Sequence, residues 1–218
     1  MIQVKICGIT NLEDATCAAE NGAAAVGFIF YPRSPRYIEP QMAGEIIDRL
    51  PGHLVKVGVF VNEKPEVVKK IFEDCCLDMI QLHGDESPEY CRQFPEGLVI
   101  KALELKTEED LEKATDFAVA AILADSRHAG LYGGTGKTAD WTLASQISKP
   151  LILSGGLNEG NIADALQKVH PAALDINSGV ESATGKKDSA KIARIMQIIK
   201  DATTGDKIRK IFIRRERA

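Results

Sequence analysis

Short runs of β-branched and apolar residues alternate along the chain with longer segments whose apolar residues recur every three or four positions. The short runs predict strands, and the longer segments predict amphipathic helices. Eight strand–helix units fit within the first 200 residues. The predicted strands are 3–7, 25–30, 54–61, 77–82, 98–102, 119–124, 150–153 and 172–176.

The helices are predicted from the same pattern and from residues typical of helix ends. Asn11 is a candidate N-cap, Gly22 a C-terminal stop, and Pro40 lies in a first turn. The predicted helices are 11–21, 40–50, 65–74, 88–94, 108–114, a short helix from 140, 158–169 and 189–200.

Alternating strands and helices predict a parallel sheet with right-handed crossovers. Eight units favour a single-domain (β/α)8 TIM barrel over residues 1–204, although about 250 residues is more usual. A doubly wound open sheet is the alternative. The glycine fingerprint of dinucleotide-binding sheets is absent after the first strand, because residues 7–10 contain one glycine.

Composition narrows the class of protein. Hydrophobic residues make up 44% and charged residues 27%, as in ordinary globular domains, and the net charge is −4. This balance disfavours nucleic acid and anionic membranes as partners, since both bind basic surfaces. Without a signal-like start or an apolar run of 18 residues, a cytoplasmic location is expected. The five scattered cysteines are expected to be free thiols, with no metal bound.

The last fourteen residues, 205–218, differ from the rest of the chain. They contain six basic and two acidic residues and follow the predicted end of the barrel. We expect a basic, flexible tail, and an RNA- or partner-binding arm is the alternative. No function is assigned to it.

Active sites of parallel barrels gather at the C-terminal ends of the strands. After the seventh strand, Gly155 and Gly156 come directly before a predicted helix, and Ser178 and Gly179 follow the eighth strand. Glycine turns and helix N-termini expose backbone N–H groups to an anion. These two loops therefore predict a phosphate site; the alternative is that the glycines only shape tight turns.

A further glycine-rich stretch, 130–138, ends like a nucleotide-binding loop. Leu131 stands where that motif needs its first glycine, and no strand leads directly into the stretch. A loop that closes over a substrate is the better interpretation.

Six segments, in this order and spacing, resemble the phosphoribosylanthranilate isomerase family from residue 2 to about residue 200. Two departures are Asn177, where the family often has serine, and Ser154, where it often has alanine. The segments are 5–10, 26–30 with 34–37, 81–84, 133–137, 154–157 and 175–181.

The resemblance implies an Amadori rearrangement in tryptophan biosynthesis, with a phosphorylated aminosugar as substrate and no metal or cofactor. It places the general base on Cys7 and the general acid on Asp125. Lys5, two residues from Cys7 on one strand face, either provides a field that favours the thiolate or forms a structural ion pair. For Asp125 we expect an apolar pocket to raise the pKa.

Other residues are assigned on the same resemblance. Arg36 suits the anthranilate carboxylate, because a guanidinium binds carboxylates bidentately, and a surface ion pair is its alternative role. Asp175 is expected to bind a sugar hydroxyl or the ring-opened amine. His83, at a strand end, is expected to form structural hydrogen bonds, and catalysis is its alternative role.

Two other functions fit the residues. A Schiff-base aldolase or another phosphosugar barrel would use Lys101 or Lys5 as its nucleophile. A barrel that only binds phosphorylated ligands, or a scaffold for a partner, would need neither Cys7 nor Asp125. The state of assembly is expected to be a monomer or a homodimer.

Overall fold

The computed structural model describes residues 1–125, 141–203 and 210–215. Eight parallel strands pair in chain order, and the eighth closes on the first. The predicted (β/α)8 TIM barrel is confirmed, and the open sheet is excluded because it leaves both end strands unpaired. The strands are β1 (Gln3–Cys7), β2 (Ala25–Ile29), β3 (Val55–Phe60), β4 (Met79–Leu82), β5 (Val99–Glu104), β6 (Ala121–Asp125), β7 (Leu151–Leu153) and β8 (Ala173–Ile176).

The helices surround the barrel, and the first of them begins after its predicted N-cap, Asn11. Asn11 accepts a hydrogen bond from the backbone N–H of Asp14 at 2.8 Å, which satisfies a free donor of the first turn. The helices are α1 (Leu12–Glu20), α2 (Pro40–Ile47), α3 (Pro65–Asp74), α4 (Pro88–Cys91), α5 (Glu108–Thr115), α6 (Trp141–Ala144), α7 (Ile162–Val169) and α8 (Ser189–Ala202).

Two apolar layers result from the alternation of side chains along each strand. One face of the strands packs against the helices, and the other fills the barrel interior. The lower interior is an apolar cluster that includes Val57, Met79, Ile100 and Leu123. Towards the C-terminal ends the inward positions change to polar and reactive residues. The strand period therefore determines which strand-end residues can meet inside the barrel.

The loops after β7 and β8 differ from the prediction. Helix α7 begins at Ile162 rather than at 158, so it does not follow the glycine pair directly. The side chain of Asn161 accepts from the N–H of Asn158, and Asn158 accepts from the N–H of Gly160, both at 2.9 Å. Such side-chain bonds to the backbone compete with a helical turn.

An unpredicted hairpin follows β8. Its strands are β9 (Glu181–Ala183) and β10 (Lys186–Lys187), which pair in antiparallel orientation. Thr10 donates a hydrogen bond to the carbonyl of Gly185 in the hairpin turn, at 2.7 Å. The hairpin therefore lies against the loop after β1.

Residues 210–215 lie against the N-terminal face of the barrel, which differs from the flexible tail expected over 205–218. Ile211 and Phe212 are buried in the lower apolar cluster. Gln3 accepts hydrogen bonds from the N–H groups of both residues, at 2.6 and 2.9 Å, and donates to the carbonyl of Phe212 at 3.0 Å. Because the tail is mostly basic, its composition did not predict that these two apolar side chains are buried. Their burial against the folded barrel removes apolar surface from water, which favours the packed position.

The N-terminal face of a barrel usually affects stability rather than chemistry, which makes this segment testable. We expect Ile211→Asp to lower the free energy of unfolding by about 2–3 kcal/mol, the burial value of such a side chain. In a domain of this size that lowers Tm by about 4–12 °C. Ile213→Asp is the matched control, because Ile213 is 56% exposed. Thermal melting and an activity assay check both variants; equal melting of the two would contradict the packing role.

Two sequence predictions concern other parts of the chain. The glycine-rich stretch 130–138 lies outside the described residues. Within the described ranges, no helix is both long and apolar enough to cross a membrane.

Candidate active site

A cavity of about 500 Å³ opens at the C-terminal ends of the strands, where the barrel rule places the site. Every residue that the sequence assigned to the isomerase site lines it: Cys7, Arg36, Asp125, Gly155, Gly156, Asp175, Ser178 and Gly179. His83 and Gln81 line it as well. A larger cavity of about 870 Å³ lies beside β7, α7 and Thr203, and the described residues that line it include no thiol or carboxyl group. The smaller cavity is therefore the candidate active site.

Cys7 is the last residue of β1 and faces the cavity. The Lys5 ammonium contacts the thiol and forms an ion pair with Asp175 at 2.7 Å. Burial raises the pKa of the Cys7 thiol, and the charge of Asp175 adds to this, while Lys5 and Lys187 lower the pKa only in part. Lys5 thus lowers the pKa of the thiol, as expected, but the nearby charge of Asp175, its ion-pair partner, opposes this effect. The thiol is therefore neutral in the resting enzyme.

Lys5 is consequently a structural ion-pair partner as well as a neighbour of the thiol. Burial by itself lowers the pKa of Lys5, but Asp175 and Cys7 outweigh burial and raise it overall. A Schiff-base nucleophile must be a neutral amine. The Lys5 ammonium is held in the opposite state, which argues against the aldolase interpretation.

Asp125 ends β6, three strands from β1 around the closed barrel. Its Oδ2 lies 3.0 Å from Nε2 of His83. The other ring nitrogen of His83 lies 2.8 Å from the amide nitrogen of Gln81. Because that amide donates, Nδ1 accepts and Nε2 carries the hydrogen that is donated to Asp125. His83 therefore forms hydrogen bonds, as expected, and one of them is donated to Asp125, the proposed acid.

The two glycine loops meet at one end of the cavity. Gly155 and Gly156 have φ angles of 86° and 64°, in the left-handed region that favours glycine. A Cβ at Gly179 would lie 1.9 Å from the carbonyl oxygen of Leu157, so only glycine allows the loops to touch. Ser178 begins a short 3-10 helix, Ser178–Val180. Helix α7 begins only at Ile162, so its N-terminus does not adjoin the glycine pair as the sequence predicted.

Comparison with known proteins settles the family. The model of the N-(5'-phosphoribosyl)anthranilate (PRA) isomerase family matches residues 4–198. The isomerase of Syntrophus aciditrophicus is 51% identical over 202 residues, covering 92% of this chain and 88% of that protein. The chain belongs to the phosphoribosylanthranilate isomerase family. It is an isomerase of tryptophan biosynthesis, and the resemblance drawn from the six segments is confirmed.

Solved structures of the isomerase family agree with the fold. One, in complex with reduced 1-(o-carboxyphenylamino)-1-deoxyribulose 5-phosphate, has a TM-score of 0.81 at 43% identity and covers 92% of this chain and 100% of its own. Another, of monomers generated from the dimeric isomerase of Thermotoga maritima, has a TM-score of 0.80 at 43% identity and covers 93% and 99%.

Arg36 is neither free nor at the surface in this member of the isomerase family. Its Nε and Nη2 donate to the two carboxylate oxygens of Glu181, both at 2.7 Å. Glu181 also accepts from the Lys187 ammonium at 3.0 Å. The hydrogen bonds that Arg36 donates to Glu181 raise the pKa of Arg36, which stays fully charged beside the cavity. The expected alternative, a surface ion pair, is replaced by a buried one at the mouth of the site.

Lys101, the other nucleophile of the aldolase interpretation, faces away from the cavity. It alternates with Ile100 and Ala102, whose side chains fill the barrel interior. Its ammonium lies 2.8 Å from the carboxylate of Glu86 and 2.8 Å from the carbonyl of Gly84. The amine therefore lies behind the barrel wall, in an ion pair.

Sequence reasoning missed Glu181 and Lys187 as residues of the isomerase site. Glu181 is the last residue of 175–181, one of the six segments that resemble the family. That position does not indicate that its carboxylate pairs with Arg36. Arg36 lies 145 residues away along the chain. Only the closed barrel brings the loop after β2 and the hairpin after β8 together around the loop of β1.

Proposed function

We propose that this cavity catalyses the Amadori rearrangement of N-(5-phospho-β-D-ribosyl)anthranilate with Cys7 as general base and Asp125 as general acid. The observation that carries the proposal is that a thiol and a carboxyl line one cavity that ends in two glycine turns.

The acid acts first. Protonated Asp125 gives its proton to the furanose ring oxygen, the C1′–O bond breaks, and the nitrogen lone pair forms the C1′=N bond of a Schiff base. The hydrogen bond from His83 holds the carboxyl in place. A general acid needs a proton at working pH, and the burial of Asp125, which is 4% exposed, disfavours the charged form of a carboxyl group.

The base acts second. In the fraction of molecules whose Cys7 has lost its proton to solvent, the thiolate removes the proton on C2′, the C–H electron pair forms the C1′=C2′ double bond, and the imine nitrogen becomes the amine of an enolamine. Tautomerisation then produces the 2′-ketone. Burial raises the pKa of Cys7, because the buried thiolate lacks the solvation that it has in water. The thiolate therefore binds a proton more strongly than an exposed thiolate does, which makes it a stronger base.

The remaining residues orient the substrate. The backbone N–H groups of Gly155, Gly156 and Gly179, with Ser178, face the phosphate. Arg36 binds the anthranilate carboxylate, and Asp175 accepts from a sugar hydroxyl or the ring-opened amine. The solved structure of a related isomerase contains reduced 1-(o-carboxyphenylamino)-1-deoxyribulose 5-phosphate, a compound that has both a phosphate and a carboxylate group.

Binding of that reduced product tests the phosphate assignment. We expect its dephosphorylated form to bind about 10²-fold more weakly, because hydrogen bonds to a charged group contribute about 1.5–3 kcal/mol each. Isothermal titration calorimetry with both compounds measures the ratio. Equal affinities would contradict the assignment of the phosphate to the glycine turns, and the proposed roles of Cys7 and Asp125 would still stand.

The state of assembly was predicted as a monomer or a homodimer, and a relative from Thermotoga maritima is dimeric. We propose a homodimer on this likeness. Size-exclusion chromatography with light scattering measures the mass directly, and a mass of one chain, 23.7 kDa, contradicts it.

A further inference from the structure

The guanidinium of Arg36 has two edges that can each bind a carboxylate. Glu181 occupies the side edge, formed by Nε and Nη2. The end edge, formed by Nη1 and the second hydrogen of Nη2, has no acceptor among the hydrogen bonds of the described residues. Because the guanidinium is planar and rigid, a carboxylate on the side edge also determines the direction of the end edge.

Glu181 is itself held in place from several directions. Its Oε1 accepts from Arg36, from the Lys187 ammonium at 3.0 Å and from the N–H of Gly185 at 3.2 Å. Lys187 in turn donates to the side chain of Asn177 at 2.9 Å. The hairpin after β8 therefore fixes the carboxylate, and the carboxylate fixes Arg36.

The charges of this cluster do not cancel. Arg36 and Lys187 carry two positive charges, and Glu181 carries one negative charge. Two other acidic groups lie nearby: Asp175 is paired with Lys5, and Asp14 accepts from the backbone N–H of Lys187 rather than from its ammonium. Arg36, Lys187 and Glu181 by themselves carry one net positive charge, and Arg36 is the one of the three that lines the cavity, where a ligand carboxylate would meet it.

We propose that Glu181, supported by Lys187, is a positioning residue that aims Arg36 at the substrate carboxylate and so makes the enzyme prefer a carboxylated arylamine. This inference rests on the proposed role of Arg36. A merely structural Glu181 would affect all substrates alike, whereas a positioning Glu181 affects only substrates that carry the carboxylate.

The test compares two substrates, N-(5-phosphoribosyl)anthranilate and N-(5-phosphoribosyl)aniline, which lacks the carboxylate. Glu181→Gln keeps the shape but presents an amide N–H₂ to a guanidinium donor. We expect kcat/KM for the anthranilate substrate to fall about tenfold to a hundredfold, mainly through KM, the range of a charge-assisted hydrogen bond. For the aniline substrate we expect no change beyond about twofold.

Two control variants make the outcomes distinguishable. Glu89→Gln removes an exposed carboxylate of α4 that accepts from Arg92 at 3.0 Å, and it should change neither substrate. Arg36→Met should remove the preference for the carboxylated substrate altogether. If Arg36→Met keeps the preference, the proposed role of Arg36 fails and the inference fails with it.

Two results overturn the inference while the role of Arg36 stands: equal losses for both substrates in Glu181→Gln, or no loss for either. If that variant does not fold, Glu181→Asp is measured instead. It keeps the charge but withdraws the carboxylate by one methylene, and its preference for the carboxylated substrate should fall at least about threefold. An unchanged preference in Glu181→Asp also overturns the inference.

Discussion

Replacement of Cys7 by alanine is expected to lower kcat by about 10²–10⁴-fold, the usual contribution of a general base. In the proposed mechanism Cys7 removes the C2′ proton, and Lys5, the other ionisable side chain of β1, is held as an ammonium by Asp175. Alanine leaves the fold intact, because it removes one sulfur atom from the cavity wall. Loss of the substrate's fluorescence measures the rate, and thermal melting checks folding. A rate within about threefold of the unsubstituted enzyme would remove Cys7 from the mechanism.

A matched control and a pH profile sharpen this result. Cys17→Ala alters a partly buried thiol on α1, away from the cavity, and should not change the rate. Because the base must be deprotonated and its pKa is raised, kcat/KM should still increase with pH above the ordinary range of a thiol. Cys7→Asp should retain part of the activity and shift this increase to lower pH, since a carboxyl ionises near 4.

Asp125→Asn is expected to lower kcat by a similar factor, about 10²–10⁴. The amide still accepts the hydrogen bond from His83, so the local structure persists, but it has no acidic proton for the ring oxygen. Affinity for the reduced product should change little, which separates lost chemistry from lost binding. Calorimetry and steady-state kinetics on the same sample measure both.

The exposed carboxylate of Asp116, at the end of α5, offers a control of the same chemistry. Asp116→Asn should leave kcat unchanged. If Asp125→Asn retains the full rate, the ring oxygen receives its proton from another source, and Asp125 only orients His83.

Hydrophobic patterning predicted the barrel well because each strand is a short apolar run between clear helix signals. For β1 and α3 the predicted bounds are those of the structure, Gln3–Cys7 and Pro65–Asp74. The start of α7 was placed four residues early, since the side chains of Asn158 and Asn161 bind the loop backbone instead of starting the helix there. Such local competition depends on side-chain geometry that a hydrophobic pattern does not contain.

Site residues were predictable where a strand ends, because the closed barrel brings every strand end to one mouth. This rule, with the family resemblance, selected Cys7, Asp125 and Asp175. Their surroundings were not predictable in the same way. The upward shift in the pKa of Cys7 depends on burial and on how Lys5 divides its charge between the thiol and Asp175.

By itself the sequence determined the order of strands and helices, the closed barrel and the family, because these depend on residue type and spacing along the chain. Only the tertiary structure decided which residues contact each other: His83 hydrogen-bonds to Asp125, Glu181 pairs with Arg36, and Ile211 packs in the lower apolar cluster. These pairs lie 42 and 145 residues apart, and Ile211 hydrogen-bonds to a residue 208 positions away. Contacts over such separations follow from how the barrel closes, and local pattern carries no information about them.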